Sequence, residues 1–226
     1  MLSWKKIHQR ALRRKGGEEA LQALLPDVRS SRGLARVKDH RCLSEMTRCI
    51  FQAGFVWRVV NQKWAGFEEV FFGFPPDRIV MLSPEQIERI GQDERIIRNM
   101  QKVLSVQHNA RYILDVGVEH GSFGRFLAQW PAEDLLGLLT HMKKQGSRLG
   151  GMTGQRVLRN LGKDTWIVTG DVVRCVQDAG VDIKDNPASA RDMKLIQDAF
   201  NQWQQESGLP LAHLSRIAAC SVGTQE

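Results

Sequence analysis

The sequence predicts an all-α protein. Apolar residues recur at helical spacing, for example in the run Val103, Val106, Ala110, Ile113 and Leu114. No stretch shows the strict alternation of apolar and polar residues that is typical of a half-buried strand. The 226 residues are 42% hydrophobic, so the chain can build one large domain or two small lobes around a core.

Composition favours a basic protein with an anionic partner. The formal net charge is +7, and a basic protein of this size favours nucleic acid. The four cysteines, Cys42, Cys49, Cys175 and Cys220, form no CxxC pair, which argues against a zinc ribbon or a disulfide framework and fits a reducing cytosol. No apolar run reaches membrane-spanning length, and residues 1–17 lack the apolar core of a signal peptide. We therefore expect a cytoplasmic, nucleoid-associated protein. We also expect a monomer, although no feature of the sequence fixes the oligomeric state.

Turn residues divide the chain into helices. Residues 1–37 form a basic extension, predicted as two short helices broken at Gly16-Gly17 and at Pro26. Its charged side chains are predicted to form a solvated face. The main domain is predicted over residues 38–226. Its longer predicted helices are 38–64, which breaks at Gln52–Gly54, 99–120 and 188–207. Three more are predicted: one that Ser83 caps and Pro84 begins, one that Pro131 opens, and a last one after Pro210.

A glycine-rich turn follows the helix that Pro131 opens. Gly150 and Gly151 precede Met152, Thr153 and Gly154, and a helical run begins there, with Thr153 as the expected N-cap. Such a turn directs backbone N–H groups and the positive end of the helix dipole to one point, which suits a phosphate. Asp171 lies twenty residues beyond Gly151, at the start of another helical run. The alternative interpretation is an ordinary turn between two core helices.

This stretch resembles the hairpin and trailing aspartate of the helix-hairpin-helix DNA glycosylase superfamily. The resemblance implies two helical lobes around a cleft, with DNA-phosphate contacts at Gly150, Gly151, Thr153, Gly154 and Gln155. Bifunctional members have a lysine at the position of Gln155, so the resemblance implies a monofunctional enzyme that uses water. An alternative alignment places the hairpin at residues 162–170, which would make Asp171 structural and give the phosphate contacts to Gly162 and Gly170.

A second stretch, roughly residues 39–115, resembles the DNA-3-methyladenine glycosylase I family. The shared residues fall in short motifs along the predicted helices: Leu43–Met46, Gln52–Gly54, Trp57, Ile96–Asn99, Lys102 and Asn109–Arg111. By this resemblance Trp57 belongs to the base pocket. Gly54 and Phe55 contact DNA, and Phe55 is inserted into the duplex. We also take Gln52, Phe51 and Trp166 as candidates for the base pocket. The alternative for each aromatic residue is core packing.

Two departures from the family pattern affect the predicted chemistry. Cys49 stands where the family has its pocket glutamate, and the family's zinc-binding cysteines and histidines have no match, so no metal and no cofactor are expected. Asp171 is the candidate catalytic residue, because a carboxylate at a flipped-base pocket can stabilise an oxocarbenium-like sugar and assist water. The alternative is that Asp171 only caps its helix. Asp164, Asp182 and Asp185 are further candidates.

Three functions remain open on the sequence. The first is a monofunctional glycosylase that removes alkylated purines of the 3-methyladenine type from double-stranded DNA. The second is a DNA-binding or damage-sensing module without catalysis, which the missing pocket glutamate motivates. The third is a helical protein–protein adaptor, which would bind DNA without the steep salt dependence that phosphate contacts impose.

Overall fold

The computed structural model describes residues 1–222. These residues contain no β-strand, which confirms the all-α prediction, and none of their helices is both long and apolar enough to cross a membrane. A 3-10 turn forms at Ala132–Asp134. The α-helices are, in chain order, α1 (Trp4–Lys15), α2 (Glu18–Gln22), α3 (Ser31–Ala35), α4 (Asp39–Gln52), α5 (Trp57–Gln62), α6 (Trp64–Val70), α7 (Pro76–Val80), α8 (Pro84–Gln92), α9 (Met100–His120), α10 (Phe123–Gln129), α11 (Leu135–Gln145), α12 (Met152–Leu161), α13 (Gly170–Asp178), α14 (Ala190–Ser207) and α15 (Leu211–Val222).

The main helix boundaries follow their predicted signals. Ser83 caps α8 in a reciprocal capping box with Gln86, and Pro84 is the first residue of that helix. The long helix predicted over 99–120 is α9, and the Asn99 side chain accepts a hydrogen bond from the Lys102 N–H at its start. The Gln52–Gly54 break separates α4 from α5. These predictions are confirmed.

Three local predictions are wrong. The N-terminal stretch has a third helix, α3, which begins because the Ser30 hydroxyl accepts a hydrogen bond from the Gly33 N–H. Pro131 leads only into the 3-10 turn, and α11 begins later because Asp134 accepts a hydrogen bond from the Gly137 N–H. Thr153 is not an N-cap, because α12 already begins at Met152.

One compact unit comprises Arg29–Trp130 and Leu138–Leu161. Its helix α4 packs against α9, α10 and α12. An aromatic cluster fills the core beside the end of α4: Phe51 meets Phe67 edge to face, and Trp64 stacks between Phe67 and Phe74. Rigid packing of this kind fixes the end of α4, from which the Gln52–Gly54 turn leaves.

The other unit comprises Met1–Val28, Pro131–Gly137 and the chain from Gly162 onward. Helix α15 packs against α1, α13 and α14. Arg10 of α1 donates hydrogen bonds to Asp178 at 3.2 Å and to Ser221 at 3.1 Å, and Trp4 packs on Trp203. Helix α1, part of the predicted N-terminal extension, is therefore built into this unit. The domain boundary at residue 37 stays a prediction.

Candidate functional site

A buried lysine holds the turn that follows α4. The Lys102 ammonium donates hydrogen bonds to the carbonyl oxygens of Phe51, at 3.2 Å, and Ala53, at 2.6 Å. These carbonyls belong to the C-terminal turn of α4, where the helix dipole favours a positive charge. Burial, and secondarily the charge of Arg148, lowers the pKa of Lys102. Gly54 follows with φ 77°, so the chain reverses immediately after the clamped carbonyls.

Two aromatic residues leave this turn exposed to solvent. Phe55 is 40% exposed and Trp57 is 45% exposed, whereas the other five tryptophans and most phenylalanines are buried or nearly so. The Lys102 Nζ lies 4.4 Å from the centroid of the Phe55 ring, which adds a cation–π contact beneath that ring. Lys102 therefore clamps the end of α4 so that two apolar side chains stay at the surface, outside the hydrophobic core.

The Trp57 ring carries a guanidinium on its face. The Arg156 Cζ lies 4.5 Å from the ring centroid, at cation–π distance. Arg156 belongs to α12, the helix that follows the glycine-rich turn. Within this unit the structure thus brings together the exposed tryptophan predicted for the base pocket and the helix predicted for phosphate contact.

Cys49 is buried beside a carboxylate that the sequence analysis did not select. The Cys49 Sγ lies 3.5 Å from the Glu45 Oε1, one turn earlier on α4, and Asn160 of α12 donates to the same oxygen at 2.7 Å. Burial, and then the charge of Glu45, raises the pKa of Cys49, so its thiol stays protonated. The four-residue spacing of Glu45 and Cys49 places them on one helix face and was the available signal.

The remaining pocket candidates lie inside the protein. Phe51 is fully buried against Phe67, and the amide of Gln52 donates to the Asn61 side chain at 3.2 Å. Trp166 is also fully buried, with its ring centroid 6.4 Å from that of Phe200, in the unit that contains α13. Neither ring offers a face to solvent, so Phe51 and Trp166 pack as core residues in this structure.

The glycine-rich turn lies between α11 and α12, over residues 146–151. Gly151 is exposed and has φ 58°, a left-handed conformation that favours glycine. A side chain at Gly154 would overlap the carbonyl oxygen of Leu149, so the first turn of α12 packs closely against the hairpin. Gln155 is buried, and Thr153 lies inside α12. The alternative stretch, 162–169, is an irregular connection between α12 and α13.

Asn109 ties the hairpin to the long helix α9. Its amide nitrogen donates to the Ser147 carbonyl at 3.1 Å, and its amide oxygen accepts from the Ser147 N–H at 2.7 Å. Asn109 is fully buried, and Arg148 makes a second link to α9 by donating to Gln101 at 2.6 Å. Asn109, which the resemblance singled out, thus positions the hairpin backbone.

Replacing Asn109 with alanine should destabilise the protein by about 2–4 kcal/mol, because it leaves a backbone N–H and C=O of the hairpin without partners. The midpoint of urea unfolding, followed by circular dichroism, measures this change. Val118→Ala on the same helix is the control: Val118 is 87% exposed, and its loss should cost less than about 0.5 kcal/mol. Equal midpoints for the two variants would contradict the proposed tie.

Asp171 stands apart from the other aspartates considered. It is the second residue of α13 and is half-buried, and Thr169 accepts the capping hydrogen bond from the Val172 N–H at 3.4 Å, so the alternative role of Asp171 as N-cap is wrong. Among residues 1–222 no group hydrogen-bonds or ion-pairs with the Asp171 carboxylate. By contrast, Asp164 caps α15, Asp182 pairs with Arg191 and Asp185 accepts from Gln177.

Within residues 1–222, no three or more histidine, cysteine, aspartate or glutamate side chains come together in a way that could hold a metal ion. Cys42, Cys49, Cys175 and Cys220 are free and buried.

The family model and the curated relative that match this chain are both methyladenine glycosylases by name. The sequence model of the methyladenine glycosylase family matches residues 32–173. DNA-3-methyladenine glycosylase 1 of Escherichia coli (strain K12) is 34% identical over 65 residues, 29% of this chain. The matched segment spans 35% of that relative's length, about a third.

Two solved structures share the helical fold. A 3-methyladenine DNA glycosylase I aligns with 64% of this chain and 86% of its own, at 23% identity and a TM-score of 0.50. The 8-oxoguanine DNA glycosylase of Methanocaldococcus jannaschii aligns with 94% of this chain and 89% of its own, at 15% identity and a TM-score of 0.51. At these identities the structures establish the fold alone, which is that of the helical DNA glycosylases.

Proposed function

Because the chain belongs to the methyladenine glycosylase family, we propose that it hydrolyses the N-glycosidic bond of alkylated purines, of the 3-methyladenine type, in double-stranded DNA. The observation that carries the proposal is the exposed pair Phe55 and Trp57, held at the surface by the Lys102 clamp. The relative from Escherichia coli and the similar solved structures are DNA glycosylases by name.

The exposed aromatic pair supplies what base capture needs. An enzyme that acts on a base in a duplex must take the nucleotide out of the stack and hold the base against an aromatic surface. Trp57 offers a ring face for stacking, and Phe55 offers an apolar ring to fill the gap left in the duplex. The hydrogen bonds from Lys102 to the α4 carbonyls make this turn rigid, so little ordering is needed when DNA binds.

The hairpin supports a contact to the DNA backbone. The hairpin leads into the N-terminus of α12, and the backbone N–H groups and positive dipole end of a helix N-terminus together suit a phosphate. Lys143 and Lys144, in the last turn of α11, and the exposed Arg148, within the hairpin turn, add positive charge there. Because Asn109 fixes Ser147, the hairpin backbone is held in place before DNA arrives.

Asp171 is the proposed catalytic carboxylate. The bond between the sugar C1′ and the base nitrogen breaks with its electrons going to the base, so a positively charged alkylated purine leaves neutral. The sugar becomes oxocarbenium-like, and a negative carboxylate stabilises that charge. Water then forms the new bond to C1′, and its proton passes to the carboxylate or to solvent. Water is the only co-reactant, and we propose that the protein acts as a monomer on cellular DNA.

The test of this function is release of free base. Duplex DNA treated with a methylating agent is incubated with the full chain, and the released bases are separated by chromatography. We expect 3-methyladenine in the supernatant and an intact sugar–phosphate strand, with no covalent adduct trapped by borohydride, because a water mechanism forms no imine. No release of any methylated base would contradict the proposal, and a trapped adduct would contradict the monofunctional mechanism.

A further inference from the structure

Glu45 of α4 presents one bound and one available carboxylate oxygen. Its Oε1 accepts from the Asn160 amide at 2.7 Å and is 3.5 Å from the Cys49 thiol. Its Oε2 has no hydrogen-bond or ion-pair partner within residues 1–222 and is not among the buried polar atoms that lack one. The contacts to Oε1 fix the orientation of the carboxylate, so Oε2 keeps a free acceptor in a defined place.

The face of the Trp57 ring already holds a planar cation, the guanidinium of Arg156. Arg156 and Asn160 are one turn apart on α12, so the residue that binds Glu45 and the residue that covers Trp57 share a helix face. The guanidinium of Arg156 is a planar cation, and it lies 4.5 Å from the centroid of the Trp57 ring. No acidic side chain within residues 1–222 forms an ion pair with Arg156, so no carboxylate holds its guanidinium against the ring face.

We propose that Glu45 and the face of Trp57 form a recognition site for a planar, positively charged base, and that Arg156 holds the place of this base until it enters. The inference rests on the proposed function and names the residue that selects its substrate class. Glu45 supplies the carboxylate that Cys49, as a buried thiol, does not supply. The entering base takes the ring face, and its cationic edge meets the Glu45 Oε2.

The site discriminates by charge rather than by size. An N-alkylated purine carries a positive charge, whereas an unmodified purine of nearly the same shape is neutral. A carboxylate binds the cation through a charge-assisted hydrogen bond, which is stronger than the bond it makes to a neutral amine. A neutral base also gains less from the Trp57 ring than the guanidinium it has to displace. Glu45 and Arg156 therefore act together against neutral bases.

Equilibrium dialysis of two nucleosides tests the proposal without any bond cleavage. The probes are 7-methylguanosine, which is positively charged in mildly acidic buffer, and guanosine, its neutral counterpart. We expect the wild type to prefer 7-methylguanosine, and Glu45→Gln to reduce that preference about tenfold or more. The glutamine keeps the oxygen that Asn160 binds, so the fold is preserved. Glu88→Gln, the same change at an exposed position of α8, should keep the wild-type preference.

A second variant tests the role of Arg156. Arg156→Leu removes the competing cation, so 7-methylguanosine should bind about two- to fivefold more tightly than to the wild type. A wild-type preference in Glu45→Gln, or equal loss of both nucleosides, would overturn the assignment of Glu45. Weaker binding to Arg156→Leu would overturn its role as a placeholder. Because the assay needs no turnover, its failure is distinct from a failure to release base from DNA.

Discussion

Asp171→Asn should lower the single-turnover rate of base release by about 100- to 1,000-fold. The asparagine has nearly the same shape but no negative charge, so it cannot stabilise the positive charge that develops on the sugar. Removing one such electrostatic partner from an enzyme site commonly costs this much. Affinity for a duplex that contains an abasic-site analogue should change little, because that product has no developing charge. Rates are measured with excess protein on methylated duplex DNA.

Two comparisons separate this effect from loss of folding. Asp171 is in the first turn of α13, and its charge there contributes about 0.3–1 kcal/mol through the helix dipole, too little to unfold the protein. Asp182→Asn is the matched control, since Asp182 forms a surface ion pair with Arg191 and should be replaceable within about twofold in rate. Wild-type release by Asp171→Asn would remove this carboxylate from the mechanism.

The features predicted well from sequence are those whose cause lies within a few residues. The break after Gln52 appears in the structure because Gly54 adopts φ 77°, and α8 begins where Ser83, Pro84 and Gln86 form a capping box. Periodicity alone was enough for α9, since its buried apolar positions repeat at helical spacing from Val103 to Val116. Local patterns of this kind carry their own physical explanation.

The errors occur where two local signals compete or where partners are distant in sequence. Pro131 is a valid helix start, but Asp134 offers the better cap and the α-helix begins after it. Thr169, rather than Asp171, caps α13 because its hydroxyl reaches the Val172 N–H. The contact between Glu45 and Asn160 joins residues more than a hundred positions apart, and no spacing rule within one helix predicts it.

The aromatic residues show the same limit of prediction from sequence. Phe51, Trp57 and Trp166 are equivalent candidates by residue type, yet only Trp57 has an exposed face. The difference arises because Phe51 lies on the inner face of α4 against Phe67, whereas Trp57 begins a new helix after the turn that Lys102 clamps. Exposure of one ring among several is a property of tertiary packing, which composition and periodicity do not determine.

Trp57→Ala should reduce kcat/KM for base release by about ten- to hundredfold. Stacking of a base on an aromatic ring contributes about 1–3 kcal/mol, and alanine removes the ring entirely. Trp57→Phe keeps a smaller ring and should lose less than about tenfold, so the order wild type, phenylalanine, alanine is expected in steady-state assays. Val59→Ala, at another half-exposed position of α5, controls for loss of surface apolar area.

The size of the loss in Trp57→Ala, and whether it falls on activity or on stability, together show what Trp57 does. If the ring only shields the surface of α4, the alanine and phenylalanine variants should both release base at the wild-type rate, because Trp57 is not part of the core. If the ring holds the extruded base, the loss must follow the aromatic surface that remains. It must also leave the urea midpoint nearly unchanged, since a half-exposed side chain contributes little to the free energy of unfolding. A large fall in stability with no separate fall in activity would contradict a role in base binding.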